Sequence, residues 1–169
     1  MIPSNRRIMA LDIRRRSFAF AVFEGPNNLL DFGARSFRMG ANRVRVRPRE
    51  KLVALFDDFN PSTVVIRGRN ADTGNWQSII DQALRRESIE RRVPIRLVTR
   101  PNVINAFNGS DRKYAIAVAL AERFPALASK LPPKRKCWQS EDYRMSIFDA
   151  AALGVAYCNR RLCVRPSFT

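Results

Sequence analysis

Arg7-Ile8-Met9-Ala10-Leu11-Asp12-Ile13 is followed at once by Arg14-Arg15-Arg16 and then by Ser17-Phe18-Ala19-Phe20-Ala21-Val22-Phe23-Glu24. An apolar run of strand length that ends on a carboxylate, turns through arginines and returns as a second apolar run predicts a β-hairpin with Asp12 near its buried start. Taking a lone carboxylate out of water costs on the order of several kcal/mol unless it is paired, protonated or bound to a metal. Asp12 is therefore either the salt-bridge partner of a neighbouring arginine or a metal ligand.

Composition bounds the rest. The 169 residues are 46% hydrophobic, which suits one domain, 1–169, with an ordinary core. Thirty-one Lys and Arg against fifteen Asp and Glu give a net charge of +16, spread along the chain, and a field of that sign attracts polyanions. Nucleic acid is the first partner to expect. Membrane lipid is the competing polyanion, but no stretch approaches the roughly 20 apolar residues of a spanning helix. The N-terminus does not resemble a signal peptide, because Asp12 and further charge interrupt its apolar run. A cytoplasmic protein is the expectation. Cys137, Cys158 and Cys163 form no framework spacing, and the chain has no histidine. Structural zinc and the Ser-His and Cys-His nucleophile pairs are disfavoured, leaving carboxylates, lysines, tyrosines or an oxygen-held metal.

Outward from the hairpin, Gly25-Pro26-Asn27-Asn28 reads as a turn and Leu29 to Phe37 as a third strand, making an antiparallel meander. Phe18, Phe20 and Val22 fall on one face of the second strand, and Ala19, Ala21 and Phe23 on the other. Arg43, Arg45, Arg47 and Arg49 alternate through an irregular basic stretch. Glu50 to Phe59 has helical spacing, and Ser62 to Ile66 is a β-branched run that predicts a buried central strand. Trp76 to Arg92 predicts a second helix with Ile79, Ile80, Ala83, Leu84 and Ile89 on its apolar side. Pro94 to Thr99 is then a fifth strand, paired in parallel through a right-handed crossover. Pro101 opens a short helix that breaks at Asn108-Gly109, and Ser110 or Asp111 caps the next, Tyr114 to Phe124. Pro125 to Pro133 is a loop. Lys134-Arg135-Lys136-Cys137-Trp138 suits either phosphate contact with base stacking or a solvated loop with a half-buried Trp. A last helix begins near Arg144, where small residues beside Asp149 let its backbone approach the sheet.

Taken in order, Ile8 to Asp12 with Arg15 to Glu24, then Val64-Val65-Ile66, Pro101 to Gly109 with Lys113, and Phe148-Asp149-Ala150-Ala151-Ala152-Leu153 resemble the RuvC-like Holliday-junction resolvases of the ribonuclease H-like superfamily. The likeness covers nearly the whole chain. It implies a mixed five-stranded α/β sheet, an antiparallel meander followed by parallel strands, flanked by helices. It also implies a carboxylate cluster that binds two Mg²⁺ or Mn²⁺ for phosphodiester hydrolysis, with hard oxygen donors holding ions that activate water and steady the leaving oxygen. Asp12 and Asp149 match the first-strand and final-helix ligands, and Lys113 matches a lysine placed towards DNA.

Two positions depart from that pattern. Arg67 stands where the family carries a glutamate at the end of the fourth strand, and Ser146 where it carries an acid three residues before the final aspartate. Glu141, Asp142 or Asp72 are the candidate replacements. Arg67 either pairs with Asp12 and Asp149 in place of a cation or turns outward to a DNA phosphate. The resemblance implies a divalent-metal-dependent endonuclease acting on branched or structured DNA. The departures raise the alternative of a catalytically inactive RuvC-like nucleic-acid-binding protein, and a YqgF-like nuclease for ribosomal RNA is a third reading. Arg14, Arg15, Arg16, Arg67, Arg69, Arg112, Lys113, Lys134, Arg135 and Lys136 are the expected nucleic-acid contacts. A homodimer is the family expectation.

Overall fold

A computed structural model of the chain describes residues 6–37, 48–68 and 79–163. The predicted hairpin forms β1 (Arg7–Ile13) and β2 (Ser17–Glu24), and β3 (Leu29–Ser36) completes the meander. β4 (Thr63–Arg67) and β5 (Ile95–Val98) then add on the other side of β1, giving the order β3-β2-β1-β4-β5. The β1–β2 and β2–β3 pairs are antiparallel, and the β1–β4 and β4–β5 pairs parallel. This is the mixed α/β sheet that the sequence implied.

Helices cover both faces, because every residue of the central strands β1 and β2 except their ends is buried. On one face, α1 (Pro48–Phe59) and α2 (Ile79–Glu90) pack Leu52, Leu55, Phe56, Ile80 and Leu84 against Leu11, Phe18, Phe20, Val22 and Ile66. The other face takes α3 (Arg100–Ala106), α4 (Lys113–Arg123), the short α5 (Pro125–Ala128) and α6 (Met145–Cys163). There Ala19, Ala21 and Phe23 meet Leu120, Phe148, Ala151 and Val155. The alternation expected along β2 is thus the division between two cores.

Three expectations change. Ile80 and Leu84 are buried as expected, but Ile79 and Ile89 are 66% and 78% exposed, and the buried arc of α2 is completed by Asp81, Glu87 and Ser88. Helical spacing defines a stripe but leaves its exact centre open by about one residue's turn. Glu87 tolerates burial because Arg49 Nε donates to it at 2.6 Å and Arg91 Nε at 3.3 Å. α4 begins at Lys113 with Arg112 at the cap position, not Ser110 or Asp111, and the break before it is made by Asn108 and Gly109, both at positive φ (55° and 79°). Part of the loop expected after Phe124 is the helical turn α5. Arg43, Arg45, Arg47, Arg69, Asp72 and Trp76 lie outside the described residues. No helix among the described residues is long and apolar enough to cross a membrane.

Candidate functional site

Strand register brings the first two groups together. Leu11 of β1 lies beside Ile66 of β4, so Asp12 and Arg67 follow side by side at the C-terminal ends of two parallel strands. Alternation puts both on the α6 side of the sheet, in line with Ala10 and Val65, which pack against Leu153. α6 reaches that side closely because Ala150, Ala151 and Ala152 are buried against it and Gly154 lies on the Phe23 ring. Asp149 is thereby delivered to the end of β1. Lys113 comes from the first turn of α4, and Glu141 from the segment leading into α6.

Arg14 ties these elements into one cluster. Its backbone N–H donates to Ser17 O at 2.8 Å, closing the hairpin turn, and its guanidinium spreads over three acids. Nε lies 3.0 Å from Asp12 Oδ2, one terminal nitrogen 3.1 Å from Asp149 Oδ2 and the other 3.3 Å from Glu141 Oε2. Lys113 Nζ bridges Glu141 Oε1 at 2.9 Å and Asp149 Oδ2 at 3.3 Å. One nitrogen of Arg67 stands 3.9 Å from Oδ1 of both Asp12 and Asp149. Of the two arrangements open to Arg67, the inward one is found, because β4 continues through residue 67. A cavity of about 30 Å³ opens beside the cluster, lined by Arg67, Arg100, Lys113 and Asp149 among apolar side chains.

The charges are strongly coupled. Burial and the neighbouring Asp12 charge raise the Asp149 pKa above the ordinary carboxylate value, against the pull of Lys113 and Arg67. Burial also works to raise Glu141, but Lys113 and Arg14 overcome it and hold its carboxyl below the ordinary value. Burial acts in the opposite sense on Arg14, working to lower its pKa, yet Asp12, Glu141 and Asp149 together raise it above the ordinary value.

Two divalent cations would need oxygen donors to spare. Here each of the six carboxylate oxygens of Asp12, Glu141 and Asp149 already lies 2.9 to 3.9 Å from a cationic nitrogen. Three negative groups meet three positive ones, and the cluster balances. A divalent ion could enter only by displacing guanidinium or ammonium groups, so these residues, arranged this way, do not fit a two-metal centre. Among the described residues no group of three or more acids, cysteines or histidines is placed to hold a metal ion.

The remaining predicted residues divide cleanly. Asp142 does not join the cluster; its carboxylate takes Arg144 at 2.7 Å. Ser146 turns its hydroxyl to Tyr143 O at 2.6 Å, serving the start of α6 and not the acids. Of the residues expected on nucleic acid, Arg14 and Lys113 hydrogen-bond to carboxylates and Arg67 stands 3.9 Å from two of them. Arg15, Arg16, Arg112, Lys134, Arg135 and Lys136 are exposed and have no carboxylate partner among the described residues. Sequence reasoning missed the three-way role of Arg14, for which the only signal was its place two residues after Asp12.

No family model matches the sequence, and no curated protein matches it significantly. Solved structures do resemble it. RuvC of Thermus thermophilus superposes with a TM-score of 0.65 at 14% identity, over 93% of this chain and 96% of that one; the same protein has been solved with a Holliday junction substrate. The yeast mitochondrial Holliday junction resolvase Ydc2 gives 0.59 at 11% identity, over 96% of this chain and 83% of that one. The fowlpox virus Holliday junction resolvase gives 0.53 at 16%, over 91% and 99%. With its β3-β2-β1-β4-β5 order and an aspartate brought by α6 to the end of β1, this chain has the fold of these RuvC-like resolvases.

Proposed function

We propose that this chain is a cytoplasmic DNA-binding protein that uses the resolvase fold to hold branched or structured DNA, and that its carboxylate site is neutralised from within instead of being loaded with metal. The observation that carries the reading is the set of cations around Asp12, Glu141 and Asp149: Arg14 and Lys113 hydrogen-bond to four of the six carboxylate oxygens, and Arg67 stands 3.9 Å from the other two. A guanidinium stays charged at any physiological pH, so two of the three cations cannot leave by deprotonation. Support for the ligand comes from the charge of +16 and from Arg15, Arg16, Arg112 and Lys134 to Lys136, whose cations remain available to phosphates. The T. thermophilus and fowlpox proteins have both been solved with junction DNA.

One observation favours hydrolysis as a second reading. The side chains of Arg14, Lys113 and Arg67 are 36%, 37% and 44% exposed, so phosphates of bound DNA can draw them off the acids and open the site to Mg²⁺ or Mn²⁺. The chain would then be a branched-DNA endonuclease with Asp12, Asp149 and Glu141 as ligands. A homodimer would present two such surfaces to a four-way junction.

The experiment pairs binding with cleavage. Labelled four-way junction, duplex and structured RNA are titrated in EDTA and incubated with Mg²⁺ or Mn²⁺. Binding in EDTA should weaken by about 10³-fold or more between roughly 50 and 200 mM salt if six or more phosphate contacts form. Junction should be left intact by the wild type, while Arg67→Glu, which turns a cation into a fourth acid, should strengthen Mg²⁺ binding by calorimetry. Metal-dependent cutting of junction by the wild type, lost in Asp12→Asn and Asp149→Asn, establishes the second reading; preferential cutting of RNA points to RNA processing.

A further inference from the structure

The segment between α5 and α6 presents features that the acid cluster does not use. Trp138 is 75% exposed and Tyr143 74% exposed, although both are side chains that ordinarily bury most of their area. Lys136 Nζ sits 5.4 Å from the centre of the Trp138 ring. The turn that carries the indole is closed from both sides: Lys136 N–H donates to Gln139 Oε1 and Gln139 N–H to Lys136 O, each at 3.0 Å. Beside it runs an open groove of about 640 Å³ between Lys113 and Tyr114 of α4 and the loop residues Pro132 to Arg135 and Gln139 to Asp142. Glu141 and Asp142 in its wall are already neutralised, by Lys113 and Arg14 and by Arg144. Lys134 and Arg135 have no such partner among the described residues, so the groove is net positive.

We propose that this loop is a binding site for an unpaired nucleotide, with the base stacked on Trp138 and the flanking phosphates held by Lys134, Arg135 and Lys136. An indole offers its face to any base, and a cation beside it takes the phosphate, the pairing by which single strands are held without sequence preference. The two-way Lys136–Gln139 bond holds the turn before the ligand arrives, which lowers the ordering cost of binding. The groove shares Glu141 with the acid cluster, so DNA laid across the cluster passes this loop. The inference rests on the DNA-binding reading and sharpens it: the loop prefers branch points and ends where bases are unstacked over continuous duplex.

The test uses the full-length chain in EDTA, with Trp138→Ala and Trp138→Phe beside the wild type, and fluorescence anisotropy on a single-stranded oligothymidine, a duplex with an unpaired bulge and a fully paired duplex. Trp138→Ala should weaken the first two by about 5- to 100-fold, the span of one stacked base, and leave the paired duplex within about twofold, with Trp138→Phe recovering most of the loss. Equal effects on all three DNAs, or none, overturn the stacking site while leaving the DNA-binding reading in place. Failure of the wild type to bind any DNA overturns both. Unchanged circular dichroism in the variants shows that the fold is not the cause.

Discussion

Arg14→Met is the perturbation that bears most directly on the neutralised site. It removes the guanidinium but keeps much of the stem, leaving Asp12, Glu141 and Asp149 facing only Arg67 and Lys113. Asp12 and Asp149 are 5% and 9% exposed, so water cannot fully replace the lost partner. Breaking a buried pair from one side costs about 3–5 kcal/mol; because the Arg14 side chain is itself 36% exposed, part of that is recovered by solvent, and about 2 kcal/mol remains. For a chain of this length that corresponds to a fall in Tm of about 4–8 °C in EDTA. The cluster then carries a net negative charge, so Mg²⁺ should stabilise the variant by mass action, by about 2.7 kcal/mol at a hundred times its Kd, raising its Tm and leaving the wild type unmoved. Arg14→Lys, which keeps the charge but loses the fork, should fall between the two. Thermal unfolding followed by circular dichroism reads all three proteins. A variant as stable as the wild type in EDTA, or a wild type that gains as much from Mg²⁺ as the variant, refutes the reasoning.

The acid cluster also gives stability a pH signature. Because burial and Asp12 raise the Asp149 pKa, the folded chain keeps that proton to higher pH than the unfolded chain. The stability it contributes is present at low pH and lost as pH rises through the raised value. Asp149→Asn removes this loss, so the denaturation midpoint of the variant relative to the wild type should climb as pH rises through and above the ordinary carboxylate range, and a falling difference contradicts the assignment. Gly154→Ala tests how α6 is seated: a Cβ there would clash with Cε2 of the fully buried Phe23, whose ring packs edge-on against Phe124 at 5.7 Å. Overpacking of about 1–3 kcal/mol outweighs the roughly 1 kcal/mol that Ala gains over Gly in a helix, so the urea midpoint should fall; an unchanged or higher midpoint shows that the contact yields.

Local pattern carried a large share of this molecule. The period-two alternation of Phe18 to Phe23 identified a strand covered on both faces, the strand–helix–strand spacing from Ser62 to Thr99 set the parallel pairing, and a carboxylate ending an apolar run marked Asp12. Those signals live within a few residues of one another, and they suffice for element type, order and the mixed sheet. Asp149 was marked locally by the small residues beside it, which let its helix approach the sheet, and as a ligand position only by the colinear resemblance.

The sequence by itself also left specific questions to the tertiary structure. That the buried arc of α2 includes Glu87 was one, because its burial depends on Arg49 of another helix, 38 residues away; periodicity counts apolar residues and cannot foresee a buried acid with a distant partner. The role of Arg14 was hidden for the same reason. Its partners Glu141 and Asp149 are 127 and 135 residues further along the chain, and only the register of β1 on β4 and the close approach of α6 bring them within reach. The sequence determined that acids and arginines would stand at the ends of these strands; tertiary packing decided that they would satisfy each other, because Coulomb energy and desolvation depend on separations of a few ångströms that no local pattern encodes.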